Sequence, residues 1–408
     1  MLVLSKRLLI TGILIILSTF PLPAKDASPF CADAGCTATR QTFKELCDFI
    51  VANKASGPVL THHGQPTTAI FIAGYYMRTL VAGYEILGDR RYLDTAIAYG
   101  DTLLKEQMPN GYWASGYGPV YFADTGSALG LLIVLYKHID QDRQKRYMDA
   151  VQLYVNSLEK DGMIHANGSI AVGWEHVIDG KLTQPILDDY TTSSALTGGE
   201  IYTWMYHMTK QEEYRRTAYQ SMHWVLSTMR KDGVIPYVLA AYGASLEKKG
   251  EPRNDFFVWD ELRYLNTAYV GEGLLSFDLH SGQDAWKAEL RKMIKPNIEW
   301  LLATQNPSGN WSGPSREPGC RATFDVSRTP GLANYLIWYY EQVDQDPRIV
   351  TAVRKFDRFL MDPQEGKTFG LLTRGKLSTT ECNNQDSVTS LTGYALSDIL
   401  DPGISSRW

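Results

Sequence analysis

Seven carboxylates stand at the heads of long apolar stretches. They are Asp124 in FADTGSALGLL, Asp188 and Asp189 in LDDYTTSSAL, Asp260 and Glu261 in WDELRYLN, Asp325 in FDVSRTP and Asp386 in QDSVTSLTG. Carboxylates suit general acid–base work, because two that face one cavity can divide it, one kept protonated and one ionised. Aspartate is also a favoured helix N-cap, which would account for about half of the seven. A cap does not explain why two acids are adjacent in Asp188–Asp189 and again in Asp260–Glu261. Near these acids in sequence lie Trp113, Trp174, Trp259 and Trp311, flat surfaces that could floor a sugar groove or simply pack loops. Arg263 and Arg321 could clamp a carboxylate bidentately, or pair with the local acids. His62, His63, His165 and His176 are candidate ligands or bases, as are Tyr190 and Tyr264.

These residues need a scaffold, and the hydrophobic pattern supplies one. Stretches that are apolar on nearly every side are helices surrounded by protein. They run from Thr68 to Leu87, Asp124 to Ile139, Asp188 to Met208, Glu261 to His280, Asp325 to Val343 and Asp386 to Leu400. Each of the first five is followed by a helix with one apolar face, such as Tyr147, Val151, Tyr154, Val155 and Leu158. The sixth has no following partner, and the unpaired first helix, Arg40 to Asn53, can supply it. Six buried and six outer helices, the last closing on the first, predict an all-α (α/α)6 toroid over residues 40–402. An open helical array is the alternative, since a repeat alone does not prove closure.

Connection lengths then choose a working face. Turns from buried to outer helix are tight, as in GDRR and DQDPR, whereas the returning connections are long. All the long loops therefore fall on the face that holds the N-termini of the buried helices, where sites are usually built. QMPNGYW (107–113) nearly repeats as QNPSGNW (305–311), and KDGMI as KDGVI. These repeats read as turns that end helices.

The chain of 408 residues carries a net charge of -5, and 12% of it is aromatic, with 24 Tyr and 10 Trp. No basic stripe is present, so nucleic acid is not an expected partner. Lys6 and Arg7 precede an apolar run ending at Phe20, then Pro21, Leu22, Pro23 and Ala24. This reads as a signal peptide over 1–24, followed by a segment 25–39. A secreted or periplasmic protein with no stable membrane insertion after cleavage is expected. No metal or cofactor is expected, because no cysteine–histidine cluster has zinc-site spacing. Cys320 and Cys382 lie in the loops before the fifth and sixth buried helices, neighbours in a ring, and are predicted to pair. Cys31 with Cys36 is the simplest further bridge.

With helix pairs, GD-x-x-Y turns and Gly–Trp loops in place, the chain resembles the six-hairpin glycosidases. Within them it is most similar to the unsaturated glucuronyl and rhamnogalacturonyl hydrolases. That resemblance implies that Asp124 and Asp189, on the second and third buried helices, are the two important aspartates. It implies hydrolysis of an acidic, uronic-acid-containing oligosaccharide or polysaccharide by an aspartate that protonates the double bond of an unsaturated uronate. VWDELRYLN (258–266) lacks the W-x-R-G-type segment usual in that family. Toroids also include polysaccharide lyases and uronyl epimerases, for which Tyr190, Tyr264, His62 or His63 would be the base and Arg263 or Arg321 would neutralise the uronate. A non-catalytic glycan-binding toroid is a third reading. The candidate substrate-binding set is His62, His63, Trp113, Trp174, Asp188, Trp259, Asp260, Glu261, Arg263, Tyr264, Trp311, Arg321 and Asp325.

Overall fold

The computed structural model describes residues 28–57, 59–62, 65–115, 118–178, 181–237, 263–282, 284–311, 329–376 and 385–407. The expected signal segment lies outside these residues, as does the Cys320–Cys382 pairing.

Among the described residues, twelve long helices alternate between an outer and an inner ring. The outer helices are α1 (Thr37–Asn53), α3 (Arg90–Lys105), α5 (Gln141–Lys160), α7 (Glu212–Ser227), α9 (Asp284–Thr304) and α11 (Pro347–Met361). The inner ones are α2 (Ile70–Leu87), α4 (Phe122–Leu135), α6 (191–209), α8 (Arg263–His280), α10 (Gly331–Gln342) and α12 (Gln385–Leu400). Each inner helix packs on the next, and α12 packs on α2, which closes the ring. The first helix lies against α12, α2 and α11, in the position that the unpaired sixth hairpin required. The open array is thereby excluded.

Burial follows the sequence pattern. Every residue of α4 except Asp124 is buried, and every residue of α12 except Asp386. The outer helix α5 buries only one stripe, through Tyr147, Ala150, Val151, Tyr154, Val155, Ser157 and Leu158. Apolar residues that recur at three and four positions cover about a third of a helix surface, and here that third faces the inner ring.

The third inner helix is not uniformly α-helical. It begins as Thr191–Ser193, continues as a π-helical segment Ser194–Ile201, and resumes α geometry over Tyr202–Thr209. Long π segments are uncommon and recur at functional positions. Gly198 and Gly199 permit close packing here, since a Cβ on either would collide with Ser221 or Met222 of α7.

Strands are confined to the connections that lead into inner helices. A hairpin of β1 (Val59–His62) and β2 (Gln65–Thr68) precedes α2. An antiparallel sheet of β3 (Val120–Tyr121), β4 (Ile170–Trp174) and β7 (Pro185–Tyr190) joins the connections before α4 and α6. Between β4 and β7 a small hairpin is made by β5 (Val177–Ile178) and β6 (Lys181–Leu182). Gly173 is required where β4 meets β3, because its φ is 143° and a Cβ would overlap the Val120 carbonyl.

Cys31 and Cys36 form a disulfide, with Cα atoms 5.3 Å apart, and Cys47 is free and buried. No helix among the described residues is long and apolar enough to cross a membrane.

Candidate active site

The strand-to-helix joints place the acids. β3 runs directly into α4 and β7 directly into α6, so sheet pairing fixes the heads of two inner helices side by side. Asp124 occupies the first turn of α4 and accepts from the Ser115 hydroxyl at 2.9 Å. It does not cap the helix, because the N-cap position belongs to Tyr121. The helix dipole favours an ionised carboxylate in that first turn.

Asp188, Asp189 and Tyr190 end β7, where successive side chains leave on opposite faces. Asp189 turns toward the 163–170 hairpin. There it receives His165 Nδ1 at 2.7 Å, Asn167 Nδ2 at 3.2 Å and the Ser169 hydroxyl. Burial alone would raise its carboxyl, but the bonds from His165 and Ser169 outweigh it and hold Asp189 below the usual carboxylate range. Asp188 points the other way and has no hydrogen-bond partner among the described residues. Its carboxyl is raised, first by burial and then by the charge of Asp189, with His165 opposing. Two adjacent carboxyls are thus displaced in opposite directions.

Tyr190 is buried, and its hydroxyl donates to that of Tyr237 at 2.7 Å. Its pKa is raised well above that of a free tyrosine, first by burial, then by Tyr237, with a smaller push from Asp124. Packing and the bond to Tyr237 fix the position of the Tyr190 phenol. Its ring belongs to a second apolar cluster, distinct from the main core, that includes Tyr75, Val172, Leu196, Tyr269 and Tyr394. Tyr75 stacks on Tyr269 with centroids 6.4 Å apart and meets Tyr394 edge-on at 5.5 Å. These buried rings meet between the inner helices α2, α8 and α12.

Several expected contacts lie elsewhere. Trp113 and Trp311 are 1% and 0% exposed, with indole nitrogens bound to the carbonyls of Leu103 (2.7 Å) and Leu301 (2.9 Å). No ring face remains for a sugar, so both tryptophans are core residues. Their loops are built alike, since Gln107 and Gln305 each bridge to the glycine of their own loop and to the next outer helix. Tyr264 is 2% exposed and stacks on Trp300 of α9 at 4.9 Å. Arg263 lies over the Tyr264 ring at 5.2 Å. Asp386 pairs with Lys54 at 2.9 Å and accepts from Tyr76 at 2.6 Å.

Trp174 is half-buried at the end of β4, and His62 ends β1. The structure brings together Asp124, Asp188, Asp189, Tyr190 and Trp174 around one sheet. His63, Trp259, Asp260, Glu261, Arg321 and Asp325 lie outside the described residues. Among the described residues no cluster of His, Cys, Asp and Glu could hold a metal ion.

Sequence reasoning missed the residues that face the axis: Tyr75, Arg78, Glu200, Glu272 and Tyr394. A signal was present, because single charges inside IFIAGYYMRTLVAG, SSALTGGEIYTW and AYVGEGLL must be paired if those helices are buried.

No protein-family model matches the chain, and no curated protein matches it by sequence. Solved structures do. A possible member of the GH105 family from Salmonella enterica serovar Paratyphi A aligns with a TM-score of 0.61 at 12% identity, over 87% of this chain and 94% of that one. An inactive variant of the alpha-1,6-mannanase GH76A of Salegentibacter sp., in complex with alpha-1,6-mannotriose, gives 0.60 at 12% identity, over 88% and 99%. A glycosyl hydrolase of family 88 from Bacteroides vulgatus gives 0.58 at 13% identity, over 88% and 99%. The fold is therefore the (α/α)6 toroid of the six-hairpin glycosidases.

Proposed function

We propose that the protein is a carbohydrate-active enzyme, a glycoside hydrolase working at the loop face of the toroid. Asp188 is the proton donor and Asp189 its ionised partner, with Asp124 beside them at the head of α4. The observation that carries this reading is geometric: of two adjacent carboxyls at the end of β7, Asp189 is held by His165, Asn167 and Ser169 while Asp188 is half-buried without such donors, which displaces Asp189 downward and Asp188 upward. An acid that keeps its proton beside one that has lost it is the arrangement that divides acid and base roles. It refines the expected pair of Asp124 and Asp189 by adding the neighbour that carries the proton.

The substrate class implied by the resemblance is a uronic-acid-containing oligosaccharide, including unsaturated ones. Under this reading Arg263 and Arg321 are the residues that would receive the uronate carboxylate. A second reading, cleavage of a neutral α-linked glycan, is favoured by one observation. The mannanase variant described as inactive has two consecutive aspartates replaced, and Asp188–Asp189 is such a pair here. A lyase or epimerase with Tyr190 as base is disfavoured by the tightly held phenol proton. Export to the periplasm or beyond belongs to the same proposal, and the Cys31–Cys36 disulfide is in keeping with an oxidising compartment.

One experiment tests these readings together. The protein is incubated with unsaturated uronyl oligosaccharides, intact acidic polysaccharides and α-1,6-mannan. Loss of the ultraviolet chromophore of the unsaturated sugar supports the uronyl hydrolase, and new reducing ends from mannan support the neutral reading. A new chromophore from intact polysaccharide would establish a lyase and overturn the proposal. Binding without product from any of them would leave a glycan-binding toroid.

A further inference from the structure

The axis of the toroid carries charge that the acids of the mouth do not explain. Arg78 of α2, Glu200 of α6 and Glu272 of α8 are 4%, 1% and 6% exposed. Arg78 donates through Nη2 to Glu200 Oε1 at 3.0 Å and through Nη1 to Glu272 Oε1. The Tyr75 hydroxyl donates to Glu272 Oε2 at 2.6 Å. The guanidinium lies over the ring of Tyr394 at 4.9 Å and that of Tyr75 at 5.6 Å. Room for the cluster comes from Gly130 of α4, where a Cβ would stand 2.5 Å from Arg78 Nη1.

Two ionised carboxylates against one guanidinium would leave a net negative charge in a dry interior. Such a group takes up a proton instead. Glu200 Oε2 is buried without a hydrogen-bond partner so long as it is only an acceptor. A proton on Oε2 turns it into a donor, and Glu272 is the acceptor beside it.

We propose that Glu200 and Glu272 share one proton, carried on Glu200 Oε2, and that it positions the rings of Tyr75 and Tyr394. With that proton in place the cluster is neutral, and Arg78 holds Tyr75 and Tyr394 against it. Glu200 is thus a positioning residue that acts through Arg78 and Glu272. The proposal is independent of which glycan is cleaved, or whether one is.

The titratable groups that face Glu200 are Arg78 and Tyr75 from α2, Glu272 from α8 and Tyr394 from α12, with Asp398 beyond Tyr394. The inner helix α4 presents Gly130, where a Cβ would stand 3.2 Å from Glu200 Oε2. Burial raises the Glu200 carboxyl, Arg78 pulls it back, and the charge and hydrogen bond of Glu272 raise it again, to about 8. A carboxyl raised on folding gives stability that is complete below its unfolded value of 4.5 and is lost as pH rises through about 8.

The test compares the full chain with Glu200→Gln, which keeps the shape and a donor but cannot titrate. Relative to Glu200→Gln, the folded-to-unfolded ratio of the wild type should fall about tenfold per pH unit between about 4.5 and 8, then level off. Near-ultraviolet circular dichroism of the tyrosines should change through pH 8 in the wild type and stay constant in Glu200→Gln. Glu200→Ala, which also strips a bond from Arg78, should lose that signal at every pH. Equal pH slopes in wild type and Glu200→Gln would overturn the proposal. Should Glu200→Gln not fold, infrared spectra of the wild type decide. Loss of a protonated-carboxyl band between about pH 7 and 9 supports the shared proton, and an unchanged spectrum refutes it.

Discussion

Aspartates head both rings of helices, and the two sets do different work. Those before the outer helices serve the backbone. Asp89 accepts from the Arg91 amide, Asp140 from that of Arg143 and Asp346 from that of Arg348, each as an N-cap. Those before α4 and α6 do not cap. The N-cap positions there are Tyr121 and Tyr190, neither with a side-chain cap bond. Asp124 sits a turn further in, and Asp188 and Asp189 lie in the strand before. A cap is spent on a backbone amide that would otherwise be unpaired. A carboxylate at the head of a helix that does not cap it keeps its oxygens for side-chain partners. Asp124 takes Ser115, Asp189 takes His165, Asn167 and Ser169, and Asp386 takes Lys54 and Tyr76.

The contrast can be broken by substitution. Asp188→Asn should reduce turnover by about 10²- to 10⁴-fold, the usual worth of a general acid, in a steady-state assay on whichever glycan proves to be the substrate. Its thermal midpoint at pH 7 should stay level or rise, because burial disfavours the charged form of this carboxyl and an amide carries no charge. A fall of several degrees with activity intact would place Asp188 among the structural acids. Asp124→Asn should lose activity to a similar or smaller degree while its circular dichroism is unchanged.

The opposite outcome is expected from the outer ring. Asp346→Ala should lower unfolding stability by about 1 kcal/mol, as removal of an N-cap does, with kcat and KM unchanged. Chemical denaturation measures the first and the same assay the second. The smallest expected effect sharpens the role of Asp189. His165→Asn removes the first of the bonds that hold Asp189 below the usual carboxylate range. The acid limb of the pH–rate profile, set by ionisation of Asp189, should then move upward. No movement of that limb would mean that Asp189 does not need its charge.

Much of this architecture was legible in the chain. All-round apolarity marked the inner helices and single apolar faces the outer ones, because a helix buried on every side has no use for a polar stripe. Boundaries fell close at the two ends, with the first helix beginning at Thr37 rather than Arg40 and the last at Gln385 rather than Asp386, but Asp188 and Asp189 lie in a strand and the third inner helix begins only at Thr191. The tight turns and long returns put the long connections at the N-termini of the inner helices, and Asp124, Asp188 and Asp189 with them. The Cys31–Cys36 bridge followed from proximity in sequence.

Direction was not legible. Trp113 and Trp311 read as ligand platforms, yet their indoles bind Leu103 and Leu301 and leave no open face. Asp188 and Asp189 are alike as letters, and strand alternation sends one to the hairpin and the other to the side of Tyr190. The meeting of Arg78, Glu200 and Glu272 depends on residues 122 and 194 positions apart arriving on one axis. Local pattern fixes what a helix must bury, because burial depends on period alone. Which side chain meets which across the ring depends on the rotation of each inner helix about its own axis. That rotation is set by packing on both neighbours at once, and only the closed toroid decides it.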